Sequence, residues 1–225
     1  MLKNRPQYDP LKDLEPISGI AVTAFAIAVH PSVPAQNLQE LIAYIKANPG
    51  KLQYGSAGHG SLNHLTGELM KLRTGITELV HIPYRGAGPA LVDLIAGQIP
   101  MIVPAMTGHV YEFHKTGKLR VLAVTHGTRL VAAPDLPTAV EQGVPDLVSP
   151  NFIGLYAPAG TPAEIVEVLS QVNSKLLSDQ GYRDLLVSGT FEPEPVLSAE
   201  QYKQYVEAEM KRWTPIVATL GIKLD

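Results

Sequence analysis

The chain has 225 residues, no cysteine, 45% hydrophobic residues and a formal net charge of −3 at pH 7. That is long and apolar enough for one large domain or two small ones. The missing thiols exclude disulfides, thiolate catalysis and thiolate metal sites, and the missing basic surplus argues against nucleic acid as a partner.

The first residues, Met-Leu-Lys-Asn-Arg-Pro-Gln-Tyr-Asp-Pro, lack the apolar core of a signal peptide. Pro6, Pro10 and Pro16 disfavour a regular element over residues 1–16. Ile17 to Val29 is β-branched and apolar and reads as one strand or two consecutive short ones. His30-Pro31-Ser32-Val33-Pro34 breaks the chain, and Leu38, Leu41, Ile42 and Ile45 form a helical face that Asn48-Pro49-Gly50 ends.

Leu52 to Met70 reads as a short strand, a glycine-rich turn and a helix with an apolar stripe at Leu62, Leu65, Leu69 and Leu72. Gly55, Gly58 and Gly60 permit a tight turn, and Ser56, Ser61 and Asn63 are candidate caps and polar donors. A loop of this kind points N–H groups outward at the positive end of the helix dipole, so it is a candidate site for a carboxylate or phosphate. The turn lacks the glycine spacing of a dinucleotide fingerprint, the Gly-Lys-Ser/Thr of a P-loop and the Gly-x-Ser-x-Gly elbow of serine hydrolases.

Glu78 to Pro83 reads as the next strand, and Tyr84-Arg85-Gly86-Ala87-Gly88-Pro89 repeats the strand-to-helix turn. In an open α/β sheet two such turns share one edge, so two helix N-termini converge on one ligand. Arg85 is either a fork for a carboxylate or a solvated loop arginine. Glu68 is a general-base candidate that reads better as a solvated or capping glutamate. His59 and His64, five apart, make a weak metal pair, and His81 reads as a core histidine within its strand. No metal and no cofactor are expected.

Further on, Ile99–Val103 and Leu119–Thr125 read as strands with a short helix around Val110 and Phe113 between them. Residues 126–151 carry Pro134, Pro137, Pro145 and Pro150 and read as a long connection with a short helix at Thr138–Gln142. Phe152–Ala157 reads as a strand. Thr161 is the expected N-cap of a helix running to about Leu177, with Pro162 in its first turn. A helix near Asp179–Ser188, an extended run Glu192–Val196 and a long last helix opened by a Ser198-Ala-Glu-Gln capping box complete the chain. Glu207, Glu209, Lys211 and Arg212 read as an exposed charged face beside a packed Trp213.

Phe25 to Ala35 echoes Phe152 to Ala163: both are strand, proline-bounded turn and helix, bracketing a βαβαβ middle. The echo points to a domain inserted between two crossing strands, in an α/β chain of mostly parallel sheets.

Several stretches together resemble the Bug family, the extracytoplasmic solute receptors of tripartite tricarboxylate transporters. They are Tyr54-Gly-Ser-Ala-Gly-His-Gly-Ser-Leu-Asn-His-Leu, His81-Ile-Pro-Tyr-Arg-Gly-Ala-Gly-Pro-Ala-Leu, Tyr8-Asp-Pro-Leu, Gly117-Lys-Leu-Arg-Val-Leu-Ala-Val-Thr, Pro134-Asp-Leu-Pro-Thr and Gly154-Leu-Tyr-Ala-Pro-Ala-Gly-Thr-Pro. The resemblance covers essentially the whole chain. It implies a type II periplasmic binding fold of two α/β domains joined by crossing hinge strands. A small carboxylate, di- or tricarboxylate or related organic acid, would be held in the cleft between them and passed to the membrane permease subunits of the transporter. It also implies a periplasmic, non-enzymatic protein.

Carried over, the ligand-facing groups are Ser56, Ala57, Gly58, Gly60, Ser61 and His64, opposite Tyr84, Arg85 and Gly86. The expected division is residues 27–149 as the inserted domain and residues 1–26 with 150–225 as the other. Family members usually begin with a signal peptide and a strand with a Pro-Gly-Gly turn. This chain starts after that region, so its first domain is expected to be incomplete. The family's aspartate after the strand that follows Gly97 is also replaced, by Ile102-Val-Pro-Ala-Met. The competing readings are a hydrolase using Gly55–Ser61 as an oxyanion site and a truncated, nonfunctional receptor.

Overall fold

The computed structural model describes residues 8–193, 195 and 197–222. In chain order the elements are β1 (Leu14–Ala24), β2 (Ala26–Val29), α1 (Leu38–Ala47), β3 (Gln53–Ser56), α2 (Leu62–Thr74), β4 (Val80–Pro83), α3 (Ala87–Ile95), β5 (Met101–Ile102), α4 (Gly108–Lys115), β6 (Arg120–Val124), β7 (Pro150–Pro158), α5 (Ala163–Ser178), α6 (Gln180–Ser188), β8 (Glu192–Pro193) and α7 (Ala199–Leu220). The chain divides into two compact units, one from Thr23 to Asn151 and one from the flanking segments up to Val22 and from Phe152 on.

The Thr23–Asn151 unit is built on a five-stranded sheet of order β4-β3-β5-β2-β6. β2 is wholly buried, as an unbroken apolar run requires of a central strand. β3 runs parallel to both β4 and β5, whereas β2 runs antiparallel to both β5 and β6. The sheet is therefore mixed rather than mostly parallel. β2 continues the extended run of β1 across Phe25, so its direction is set by that entry and not by a crossover helix. At Phe25 the backbone N–H donates to Thr125 Oγ1 at 3.1 Å, which separates the two strands.

Leu38, Leu41, Ile42 and Ile45 are the buried face of α1, whose N-cap Asn37 accepts the Glu40 N–H at 2.8 Å. Ala26, Ala28, Leu94, Ile102, Met106 and Val124 belong to one core cluster, on which α3 and α4 pack through Ala90, Leu94 and Val110.

Thr138–Gln142 is not a helix. Val124 N–H donates to Pro137 O and Ala139 N–H to Val124 O, both at 3.0 Å, so Thr138 lies as a parallel bridge on the edge of β6. Pro137, Gly143 and Pro145 leave too few residues for a helical turn to repay its nucleation. The segment covers a strand edge instead.

The other unit holds a three-stranded sheet of order β7-β1-β8, with β8 antiparallel to β1 through Ala21↔Pro193 and Val22↔Glu192. Of the expected run Glu192–Val196, positions 194 and 196 lie outside the described residues. Ile17, Ala157 and Val166 form its core cluster, with Leu155 and Ala199 against it. The buried Asn173 of α5 donates to Ser18 Oγ and, at 2.8 Å, to Gly19 O. The N-cap of α5 is Pro162 rather than Thr161, because the Thr161 hydroxyl turns back to Pro158 O at 2.8 Å.

α7 opens with the expected Ser198–Gln201 capping box. Its charged face is only partly solvated. Glu209 and Arg212 pair at 2.7 Å, and the Arg212 guanidinium lies 5.0 Å from the ring of buried Trp213. No helix among the described residues is long and apolar enough to cross a membrane.

Candidate functional site

β3 and β4 are in parallel register, Ser56 opposite Pro83, so the turns that follow them emerge side by side at the C-terminal edge of the sheet. Two backbone hydrogen bonds of 3.1 Å stitch them together, Tyr84 N–H to Ser56 O and Gly86 N–H to Ala57 O. Gly58 (φ +137°), Gly60 (φ +75°) and Gly86 (φ +116°) occupy the half of φ space that favours glycine. A Cβ at Gly58 would sit 3.3 Å from Tyr84 O, so the approach of the two turns depends on that glycine.

Much of the first turn's polar capacity holds the turn itself. Ser56 is buried, and its Oγ accepts the Gly58 N–H at 3.1 Å and meets His81 Nε2 at 2.7 Å. Ser61 caps α2: its hydroxyl donates to Gly58 O at 2.7 Å and accepts the His64 N–H at 3.3 Å. Gly60 N–H donates to His64 Nδ1 at 3.0 Å, and Ser61 N–H to Gly58 O at 3.2 Å. Among the described residues the N–H groups of Ala57, His59, Leu62 and Asn63 take no partner, so these are the donors left at the start of α2.

α3 begins at the neighbouring turn with Gly86 as a cap that offers no side chain. Arg85 stands between the two stitching bonds, exposed, and makes no ion pair among the described residues. The half-buried Tyr84 donates its hydroxyl to Asp93 at 2.9 Å, and burial first, Asp93 second, raise its pKa. Asn63 is buried with its amide on Val103 O at 2.8 Å, which makes it a brace.

His81 is not a core residue. It is half-buried, and its ring stacks on buried His64 with centroids 3.7 Å apart and planes at 12°. Exposed His59 brings its ring to 4.8 Å from that of His64 and 6.1 Å from that of His81. Burial is the chief cause that pushes both His64 and His81 down to about 4, so both are neutral near pH 7.

Below the stack, Tyr54 donates to Glu68 at 2.8 Å, and Glu68 pairs with Lys71 at 2.8 Å. Burial first, and then Glu68, raise the Tyr54 pKa. Glu68 is thus neither a solvated glutamate nor a cap, but the acceptor of a buried tyrosine.

His81 was recoverable from sequence only through the pairing of Tyr54 with His81 across β3 and β4. A groove of about 970 Å³ lies in the other unit, beside α5 and the start of α7, and none of the turn residues line it.

Among the described residues the arrangement offers unpaired N–H groups at the start of α2 and, beside them, the Arg85 guanidinium without an ion pair, all suited to a carboxylate. Comparison with known proteins bears on that chemistry. Protein BugT of Bordetella pertussis is 33% identical over 219 residues, covering 96% of this chain and 66% of BugT. R. palustris Rpa4515 with adipate superposes with a TM-score of 0.90 at 32% identity, covering 99% of this chain and 74% of that one. MatC from Rhodopseudomonas palustris with bound malate superposes with a TM-score of 0.82 at 27% identity, covering 94% and 72%. The chain spans just under two thirds of the length of the first curated relatives it matches. The family model described as the tripartite tricarboxylate transporter family receptor matches residues 1–222, and the chain belongs to that family.

Proposed function

We propose that this chain is the solute-binding part of a periplasmic receptor that captures a small dicarboxylate or tricarboxylate and delivers it to the membrane subunits of a tripartite transporter. It binds and releases its ligand without making or breaking bonds. Residues 27–149 form the inserted domain that carries the ligand-binding turns, and residues 1–26 with 150–225 belong to the first domain.

The observation that supports this reading is the stitching of the two turns, Tyr84 N–H to Ser56 O and Gly86 N–H to Ala57 O. It sets the N-termini of α2 and α3 side by side with Arg85 between them. One carboxylate of the ligand takes the free N–H groups at Ala57 and the start of α2, and Arg85 pairs with it. Ser56, Gly58, Gly60, Ser61 and His64 keep that turn in shape, while Tyr84 and Gly86 hold the second turn against it. Adipate and malate, named with two of the structural neighbours, are dicarboxylates and fit the same chemistry.

Calorimetry with adipate, malate and citrate tests the reading. A charge-assisted hydrogen bond contributes about 1.5–3 kcal/mol, so Arg85→Ala is expected to weaken the best ligand by about ten- to a hundredfold. Arg85 is exposed, so the fold should be unaffected. Equal affinity in the wild type and the variant would remove Arg85 from the site, and no binding of any of the three acids would overturn the reading.

A further inference from the structure

The carboxylate reading uses His64 only to brace the turn and gives no part to the rings of His59 and His81 beside it. We propose that His59, His64 and His81 form a three-histidine site for a divalent transition metal of borderline softness, Zn²⁺ above all, with its fourth position open on the His59 side.

One ring nitrogen from each of the three lies within 4.8 Å of the other two. A tetrahedral zinc with Zn–N bonds of about 2.0–2.1 Å wants them about 3.4 Å apart, so the rings must close by an ångström or so. The stack of His64 on His81 must also open, because a metal lies in the plane of each ring it binds. The residue that has to travel furthest is free to do so: His59 is exposed and sits between Gly58 and Gly60.

The ring of His81 is already oriented from behind, as a metal-bound histidine is. Ser56 Oγ meets His81 Nε2 at 2.7 Å. If its single hydrogen goes to Gly58 O, 3.1 Å away, the oxygen accepts from His81 Nε2–H and the free lone pair falls on Nδ1. His64 Nδ1 is held by the Gly60 N–H. Ligation through either nitrogen of His64 turns that peptide, and the turn's glycines allow it.

The donor set decides the class of ion. Three neutral nitrogens with neither carboxylate nor thiolate suit Zn²⁺, Ni²⁺ or Cu²⁺ and do not suit Mg²⁺ or Ca²⁺. Glu68, the nearest acid on α2, is committed to Tyr54 and Lys71. Buried His64, half-buried His81 and exposed His59 grade from interior to solvent, which gives the ion its way in.

The test is calorimetric titration of the full chain with ZnCl₂ in a buffer free of carboxylates and phosphate, with Co²⁺ as a spectroscopic stand-in. One equivalent should bind, and Co²⁺ should give the intense visible bands of a tetrahedral rather than a fully hydrated ion. His59→Ala, which removes an exposed side chain and leaves the fold alone, should weaken Zn²⁺ at least about tenfold. Ser56→Ala should weaken it less.

The chain has seven histidines, so adventitious binding at the other four would be indifferent to His59. Zn²⁺ bound equally well by His59→Ala, a Co²⁺ spectrum of the hydrated type, or no binding at all would overturn the proposal. Because no carboxylate is present, these outcomes are independent of the receptor reading.

Discussion

At the scale of the residue, the two stacked histidines make the fold sensitive to acid. An unfolded histidine titrates near 6.5, whereas His64 and His81 titrate at about 4 in the folded chain, chiefly because burial disfavours their charge. Between those values the unfolded chain binds protons that the folded chain refuses. Stability is therefore full above about pH 6.5 and falls as the pH drops towards 4, by up to about 1.4 kcal/mol per pH unit for each histidine. Buried His64 carries the larger share. His114, lowered by burial on α4, adds to the slope. Urea unfolding at a series of pH values from 7 to 4 should show a midpoint that declines on acidification. The decline should be shallower in His64→Gln, and a slope unchanged by that substitution would place its origin elsewhere. The sequence shows both histidines but not their partnership, because His64 stacks on His81 only through the register of β3 with β4.

At the scale of the element, local signals served well at most helix starts, the exception being Thr161, whose hydroxyl turns back to Pro158 O instead of capping α5. The Ser61 cap and the Ser198 capping box are both formed, since each needs only neighbours within one turn. Residues 138–142 failed for the opposite reason. Their best partners are the edge of β6 and the start of α1, which no window of sequence displays. Gln142 is the link. Its Oε1 accepts the Leu38 N–H at 2.7 Å, and its Nε2 donates to Leu122 O at 2.6 Å. Gln142→Ala leaves both backbone groups without that partner, and each such loss costs about 1–3 kcal/mol. The expected destabilisation is about 2–6 kcal/mol by the same measure, read as a lower urea midpoint at unchanged slope. Gln142→Glu keeps the acceptor for Leu38 and should recover part of it. A Gln142→Ala chain as stable as the wild type would show that α1 does not depend on this link.

At the scale of the whole molecule, the two-unit α/β plan was legible because hydrophobic runs alternate cleanly with capped helices. The antiparallel entry of β2 was not, because strand direction belongs to topology. The distribution of apolar surface was not legible either, and α5 shows why. Its sequence offers two faces at helical spacing, and the more apolar one points outward. Ile165, Val168, Leu169, Val172 and Leu176 are all exposed, Val168 at 59% and Val172 at 51%. The inward face carries Val166, Ser170, Asn173 and Leu177. What holds the helix is partly polar, the Asn173 amide on Ser18 and Gly19. A rule that buries the greasier side therefore gets this helix backwards. Two substitution sets follow from that inversion. Val168→Lys with Val172→Lys should change stability by no more than about 0.5 kcal/mol each. By breaking a contiguous apolar patch, the pair should also lower light scattering in concentrated solution. Asn173→Leu adds apolar volume yet should destabilise by about 1–3 kcal/mol, since it strips the buried Ser18 oxygen of its donor and leaves Gly19 O with the Ser18 hydroxyl alone. If the double lysine variant instead melts far below the wild type while Asn173→Leu does not, the outward stripe is the face that packs.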